Sequence, residues 1–94
     1  MDPLIEKNRE EIIRIALRHG AGNVRVFGSR ARGDAEEGSD ADFLVDIVGP
    51  LTPWWPGGLI SDLSKLLGCP VDVGMVSEIP KSIREHVLQE AKPL

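Results

Sequence analysis

The chain has 94 residues, of which 41% are hydrophobic and 28% charged, and its formal net charge is −4 at pH 7. This length fits one domain with a modest core, which aliphatic side chains must fill because only 4% of the residues are aromatic. The acidic balance argues against a general nucleic-acid binder, because such proteins draw most of their affinity from cations that neutralise phosphates. A small local phosphate site stays compatible with this composition.

Cysteine content and hydropathy bear on where the protein works. The only cysteine is Cys69, so no disulfide can form within the chain, which favours a reducing compartment. The sequence shows neither a signal-peptide pattern nor an apolar run of the roughly 20 residues that span a bilayer. We therefore expect a cytoplasmic protein without a membrane partner, in which Cys69 is a small buried hydrophobic residue beside Pro70.

The spacing of apolar residues predicts alternating helices and strands. Asp2 and Pro3 are expected to begin the first helix, as N-cap and first helical residue. Three strands with helices packed against them make an α/β or α+β sandwich, whose strand order the sequence leaves open. The predicted elements in chain order are a helix over 3–19, a strand over 24–27, a helical turn over 29–33, a strand over 41–47, a helix over 59–67, a strand over 71–76 and a helix that starts at Pro80 and has ended by Pro93.

A candidate phosphate site lies where the first strand turns into the short helix. Gly28 lets the backbone approach a bulky anion closely, because glycine has no side chain and tolerates unusual dihedral angles. Ser29 begins the helical turn, where free N–H groups and the positive end of the helix dipole favour phosphate. Arg30 and Arg32 are the nearest cations, and arginine suits bidentate phosphate contacts. We favour Arg32 as the one that faces the site.

Three aspartates on two predicted strands form a candidate metal site. Asp40 and Asp42 are two residues apart at the start of a strand, so their side chains leave the same face. Two such carboxylates repel each other unless cations lie between them, and Mg²⁺ prefers this kind of oxygen ligand. Asp72, on a later strand, could supply a third carboxylate. Three carboxylates and a triphosphate can organise two metal ions about 3.5–4 Å apart.

These residues resemble a known family. The runs GSRARGD over 28–34 and SDADFLV over 39–45, followed by Asp72, are similar to the minimal nucleotidyltransferases of the DNA-polymerase-β-like superfamily. The hallmark of that family is Gly-Ser, a spacer, Asp-x-Asp and a third acidic residue on a later strand. The resemblance extends over essentially the whole chain, and only the proline-rich segment 49–58 departs from the expected composition. It implies one minimal nucleotidyltransferase domain over 1–94, with a three-stranded mixed sheet packed with helices in the order α-β-α-β-α-β-α.

The resemblance also implies an activity and a set of site residues. Asp40, Asp42 and Asp72 would be the catalytic metal ligands for two Mg²⁺ ions, and Gly28 and Ser29 would contact the triphosphate of ATP. Members of the family often pair with a helical HEPN-domain protein as a toxin–antitoxin system, in which the nucleotidyltransferase can adenylylate its partner. A HEPN-domain partner is therefore expected, and self-association into a homodimer stays open.

The sequence allows two roles for several other residues. Asp46 shares a strand face with Asp42 and could join the acidic cluster, although a solvated carboxylate at the strand end is favoured. Trp54 and Trp55 could stack on a base, but packing or partner contact is favoured. His19 and His86 have no ligand-like neighbours, so helix-end or surface positions are expected.

Three functions compete at this point. The favoured one is an enzyme that transfers a nucleoside monophosphate to a hydroxyl and releases pyrophosphate. The expected group is AMP, from ATP. The second is a binding module that neutralises a toxic partner by covering it. The third is a metal-dependent nuclease, which the Gly-Ser turn and the acidic composition disfavour.

Overall fold

Four strands form one mixed sheet in the computed structural model, which describes all 94 residues. The strands are β1 (Ala21–Phe27), β2 (Ala41–Ile47), β3 (Val71–Met75) and β4 (Lys92–Pro93), and their spatial order is β3-β2-β1-β4. β1 runs antiparallel to β2 and to β4, whereas β2 and β3 are parallel. The parallel pair needs a crossover connection, and the segment between its strands contains a helix, α4 (Gly57–Leu67).

The fourth strand corrects the expected sheet of three. It has only two residues, which pair with Arg25 and Val26 of β1. A segment this short has no alternation to detect, and Pro93 was expected only to mark the end of the last helix. Proline is compatible with this position because β4 is an edge strand, with no neighbour on its outer side.

The predicted helix over 3–19 is two helices in the structure. The Asp2 carboxylate caps the first one as expected, because Oδ2 accepts hydrogen bonds from the backbone N–H groups of Leu4 and Ile5 at 3.1 and 3.3 Å. Asn8 separates the two helices, and its side-chain amide donates to the Leu4 carbonyl at 2.9 Å. The remaining helical elements lie close to the predicted ones. The helices are α1 (Pro3–Lys7), α2 (Arg9–Arg18), α3 (Ser29–Arg32), α4 and α5 (Lys81–Glu90), with one 3-10 turn at Val76–Glu78.

The two faces of the sheet differ in polarity. In β2 the residues Ala41, Phe43 and Val45 are at most 1% exposed, whereas the alternate residues are only half-buried. The buried face joins apolar side chains of α1, α2 and α4 in one core cluster. The other face of β2 carries Asp42 and Asp46, so it is the face on which polar chemistry can occur.

α5 contributes little to the core. None of its residues is buried, and even the apolar Ile83 is 49% exposed. Arg84 joins the helix to the preceding turn, because Nη2 donates to the Ile79 carbonyl at 2.8 Å. No helix in the structure combines the length and the apolar character that crossing a bilayer requires.

A histidine at the end of α2 forms hydrogen bonds with the loop before α4 and with α4 itself. His19 follows α2 as its C-cap residue, which confirms the expected helix-end position. Its Nδ1 lies 2.6 Å from the Thr52 hydroxyl and its Nε2 lies 2.7 Å from a carboxylate oxygen of Asp62. In the same loop Trp55 packs against the core, while Trp54 is 89% exposed.

Replacing His19 with alanine should lower the free energy of unfolding by about 1–2 kcal/mol, because two hydrogen bonds that join three segments are lost. Chemical denaturation measures this change. His86→Ala is the matched control: His86 is exposed on α5 and faces only Glu90 at 3.5 Å, so its loss should change the free energy by less than about 0.5 kcal/mol. Equal effects of the two substitutions would show that the His19 bridge contributes nothing particular.

Candidate active site

The strand register brings residues that are far apart in sequence to one edge of the sheet. Phe27, the last residue of β1, pairs with Asp42, and Asp42 pairs with Asp72 at the start of β3. Directly paired residues of neighbouring strands project from the same face of a sheet, and such strands lie about 4.8 Å apart. Gly28 follows Phe27, and a Cβ atom on it would lie only 3.2 Å from Oδ2 of Asp42. The predicted phosphate turn and two predicted metal ligands are therefore neighbours.

Negative charge is concentrated at this edge. Asp40 is exposed on the segment that leads into β2, two residues before Asp42. Burial, and then the negative charges of Asp40 and Asp72, raise the pKa of the Asp42 carboxyl above its usual value. No lysine, arginine or histidine forms an ion pair with any of these three carboxylates. The cluster thus lacks a counter-ion from its own chain.

The donor set fits a hard divalent cation that is shared with a substrate. All three groups are carboxylates, and Mg²⁺ typically takes one or two of these and completes its shell with water and phosphate oxygens. No three histidine, cysteine, aspartate or glutamate side chains are grouped so as to hold a metal ion by themselves. A cage formed by the protein alone is therefore absent, whereas a site completed by a triphosphate needs no such cage.

The turn after β1 has a backbone shape that requires glycine. Gly28 has φ 76° and ψ −150°, a region that is essentially restricted to this residue. Its carbonyl accepts hydrogen bonds from the N–H groups of Ala31 and Arg32 at 3.1 and 3.2 Å, which winds the short α3 helix immediately after the turn. Ser29 is half-buried at the start of α3 and follows Gly28 directly in the sequence.

The two arginines of α3 have different environments. Arg30 is 4% exposed, and its guanidinium forms hydrogen bonds with Asp2 and with the Ser39 carbonyl. Arg32 is exposed, and its Nε lies 3.2 Å from Asp34 in an equally exposed ion pair. Solvent screens such a pair, so Arg32 is the arginine free to turn toward an anion.

A second cation near the turn was missed in the sequence. A cavity of about 230 Å³ is lined by Gly28, Arg32, Gln89, Glu90 and Lys92. Lys92 reaches this place because β4 pairs with Val26. No sequence signal pointed to it, since a two-residue edge strand has no recognisable pattern.

Other acidic and apolar features lie apart from the carboxylate edge. Asp46 accepts a hydrogen bond from the Asn23 side chain at 3.0 Å and lies 3.8 Å from Nη1 of Arg25, so it has partners of its own. A larger surface cavity, of about 480 Å³, lies along α5, but its lining includes none of the three aspartates. The three candidate metal ligands therefore lie apart from both features, at the edge formed by β1, β2 and β3.

Replacing Asp42 with asparagine should stabilise the metal-free protein at neutral pH. A carboxyl whose pKa is raised on folding binds its proton more tightly in the folded chain, so its ionisation weakens the fold as the pH rises above 3.8, the ordinary value, and through the raised one. The Asp42→Asn variant should therefore melt at a higher temperature than the wild type in EDTA at neutral pH, and the difference should vanish in acid. Asp46→Asn is the control on the same strand face, and it should not stabilise because Asp46 has partners. A lower melting temperature for Asp42→Asn in EDTA would contradict the repulsion inferred at this edge.

Comparison with known proteins identifies the family. A nucleotidyltransferase-domain family model matches residues 6–94. A Methanocaldococcus jannaschii protein, named as a candidate protein adenylyltransferase, is 33% identical over 87 residues, which are 93% of this chain and 94% of that protein. The protein adenylyltransferase MntA of Thermococcus cleftensis is 40% identical over 75 residues, which are 78% of this chain and 74% of MntA.

Solved structures show the same fold. The structure of a candidate minimal nucleotidyltransferase matches with a TM-score of 0.83 and 43% identity, over 100% of this chain and 97% of that one. A toxin–antitoxin structure with AMP-PNP matches in fold with a TM-score of 0.75 at 22% identity, over 92% of this chain and 71% of that one. Given the family match over nearly the whole chain, this protein belongs to the nucleotidyltransferase domain family.

Proposed function

We propose that this nucleotidyltransferase transfers AMP from ATP to a hydroxyl group and releases pyrophosphate, with Mg²⁺ as the cofactor. The observation that carries the proposal is the in-register pair of Asp42 and Asp72 beside Gly28, in a cluster without a protein counter-ion. Such an arrangement suits a polyphosphate that arrives with its own cations. A nuclease would have less use for a glycine turn held this close to the carboxylates.

Each residue of the site has a role in this reaction. Asp40, Asp42 and Asp72 would hold two Mg²⁺ ions, whose chemistry there is to neutralise phosphate charge and to acidify the attacking hydroxyl. Gly28 and Ser29 would hold the triphosphate through the backbone and the serine hydroxyl.

The proposed transfer forms one bond at the α-phosphorus and breaks another. The hydroxyl oxygen bonds to the α-phosphorus, the bond from that phosphorus to the bridging oxygen breaks, and pyrophosphate leaves. Asp72 would accept the hydroxyl proton. Arg32 and Lys92, which line the cavity beside Gly28, could neutralise charge on the leaving group.

A protein side chain is the acceptor that fits best. Two relatives carry the name protein adenylyltransferase, which favours AMP as the group and a protein as the acceptor. The fold is shared with a toxin–antitoxin structure that contains AMP-PNP and with a structure of the toxin–antitoxin pair MntA–HpeT. This likeness favours a toxin partner for this chain. We propose a HEPN-type toxin as that partner, presenting a hydroxyl to the carboxylate edge.

A second candidate is an antitoxin that neutralises its partner by contact alone. The observation in its favour is a set of exposed apolar side chains in and beside the segments that adjoin the start of β1. This end of the strand is the one away from Gly28. A partner bound there would not need the carboxylates. These side chains are Leu17, Ile47, Val48, Leu51 and Trp54, which are 43–89% exposed.

Titration of Mg²⁺ and ATP into the protein by calorimetry tests the proposed site. The wild type should bind ATP only when Mg²⁺ is present, and the Asp40→Asn, Asp42→Asn double variant should bind at least about 100-fold more weakly, because both replaced groups are metal ligands. The amide is nearly the size of the carboxylate, so the fold should survive. Metal-independent binding, or equal binding by the variant, would contradict the proposal.

The single variant Asp40→Asn separates the two candidate functions. If transfer of AMP inactivates the partner, co-expression of Asp40→Asn with the toxin should fail to restore growth. If contact suffices, neutralisation should persist at the wild-type level. Trp54→Ala is the complementary variant, which should leave transfer intact but weaken a contact-based antitoxin.

A further inference from the structure

We infer that Arg30 is a positioning residue for the proposed metal-binding carboxylates, which acts through the backbone beside Asp40. The inference rests on the proposed function. Arg30 is 4% exposed, so it does not serve as a phosphate ligand at the surface. Its role follows from what its guanidinium holds.

Two nitrogens of the guanidinium donate hydrogen bonds to one carbonyl oxygen. Nε and Nη2 both donate to the carbonyl oxygen of Ser39, at 3.1 and 2.8 Å. The third nitrogen, Nη1, donates to Oδ2 of Asp2 at 3.0 Å. All three nitrogens of the side chain are therefore engaged, and the group bridges the start of α1 to the residue before Asp40.

The Ser39 carbonyl belongs to the peptide unit whose nitrogen is that of Asp40. On the other side of Asp40, the N–H of Ala41 donates to the Pro70 carbonyl at 2.9 Å. The peptide units on both sides of Asp40 are thus held by the body of the protein, one by Arg30 and the other by the segment before β3. This leaves the Asp40 side chain little freedom except rotation about its own bonds.

The loop itself cannot supply this restraint. Residues 36–38 are exposed, and the N–H of Glu36 donates to the Ser39 hydroxyl at 3.0 Å, a contact within the loop. The guanidinium of Arg30 is the side-chain link between this loop end and the buried part of the chain. Without it, the backbone at Asp40 would be held on one side only, by the hydrogen bond from Ala41 to Pro70.

Lysine cannot reproduce this arrangement. The planar guanidinium reaches Ser39 with two nitrogens and Asp2 with a third, whereas lysine has one ammonium nitrogen and cannot make all three contacts. Asparagine at position 2, by contrast, keeps a side-chain oxygen that can cap α1 and leaves the Arg30–Ser39 contact intact. The pair Arg30→Lys and Asp2→Asn therefore separates positioning from general stability.

Two measurements on these variants test the inference. The first is the Mg²⁺ concentration that gives half-maximal ATP binding, which Arg30→Lys should raise about 10–100-fold, the range typical of groups that orient metal ligands. The second is the backbone order parameter of Ser39 and Asp40 in the metal-free protein, measured by ¹⁵N relaxation, which Arg30→Lys should lower. Asp2→Asn should lower the melting temperature, but it should leave the Mg²⁺ concentration within about twofold of the wild type and the order parameters of Ser39 and Asp40 unchanged.

Distinct results would contradict the two proposals. If the wild type binds no Mg²⁺–ATP, the proposed function fails, and the metal-free order parameters still decide the role of Arg30. Unchanged order at Ser39 and Asp40 in Arg30→Lys, or an equal loss in Asp2→Asn, would overturn the positioning role. If Arg30→Lys does not fold, the double variant Arg30→Gln, Asp2→Asn removes both buried charges together, and the same loss of order is expected.

Discussion

Three carboxylates without a counter-ion lie at one edge of the sheet, and the packing of the opposite face keeps them there. Asp42 and Asp72 face each other across a parallel strand pair, Asp40 adds a third charge, and no cation of the chain compensates them. Such an edge is unfavourable by itself, and it persists because the opposite face of the same strands is a packed apolar core. The free energy of that core thus maintains an edge whose carboxylates have no counter-ion from the chain.

The register of the sheet connects the core with the site. Side chains alternate between the two faces of a strand, so a slip of one residue in β2 would turn Phe43 out of the core and Asp42 into it. Burial of Phe43 and Val45, each 1% exposed, therefore also determines which face carries the carboxylates. Arg30 extends this coupling beyond the sheet, because it joins the start of α1 to the residue before Asp40.

The parts of the fold that the sequence predicted well are those with strong local patterns. An apolar residue stands at every second position of the strand over 41–47, which appears with the predicted bounds, and Asp2 caps the first helix as expected. The short β4 strand was missed because two residues show no period, and the break at Asn8 was missed because the apolar spacing continues across it. The sequence also left the strand order open, since pairing depends on contacts between distant segments.

The candidate site was predictable as a set of residues but not as a geometry. Spacing indicated Gly28, Asp40, Asp42 and Asp72, and family resemblance gave them roles that remain predictions. The sequence favoured Arg32 over Arg30 as the arginine that faces the site, and the structure leaves Arg32 exposed and buries Arg30. The hydrogen bonds of Arg30 could not be anticipated, because a four-residue helix does not reveal which of its sides is buried. Lys92 could not be anticipated at all, because only the β4 pairing brings it to Gly28.

The fate of the phosphates of ATP is the direct measure of nucleotidyl transfer by this protein. The protein is incubated with Mg²⁺, a HEPN-type toxin and ATP labelled in parallel samples at the α- or the γ-phosphate. The α label should become attached to the toxin while the γ label appears in an equal amount of pyrophosphate. Release of the γ label as inorganic phosphate, or transfer of the γ label to the toxin, would contradict nucleotidyl transfer by this chain.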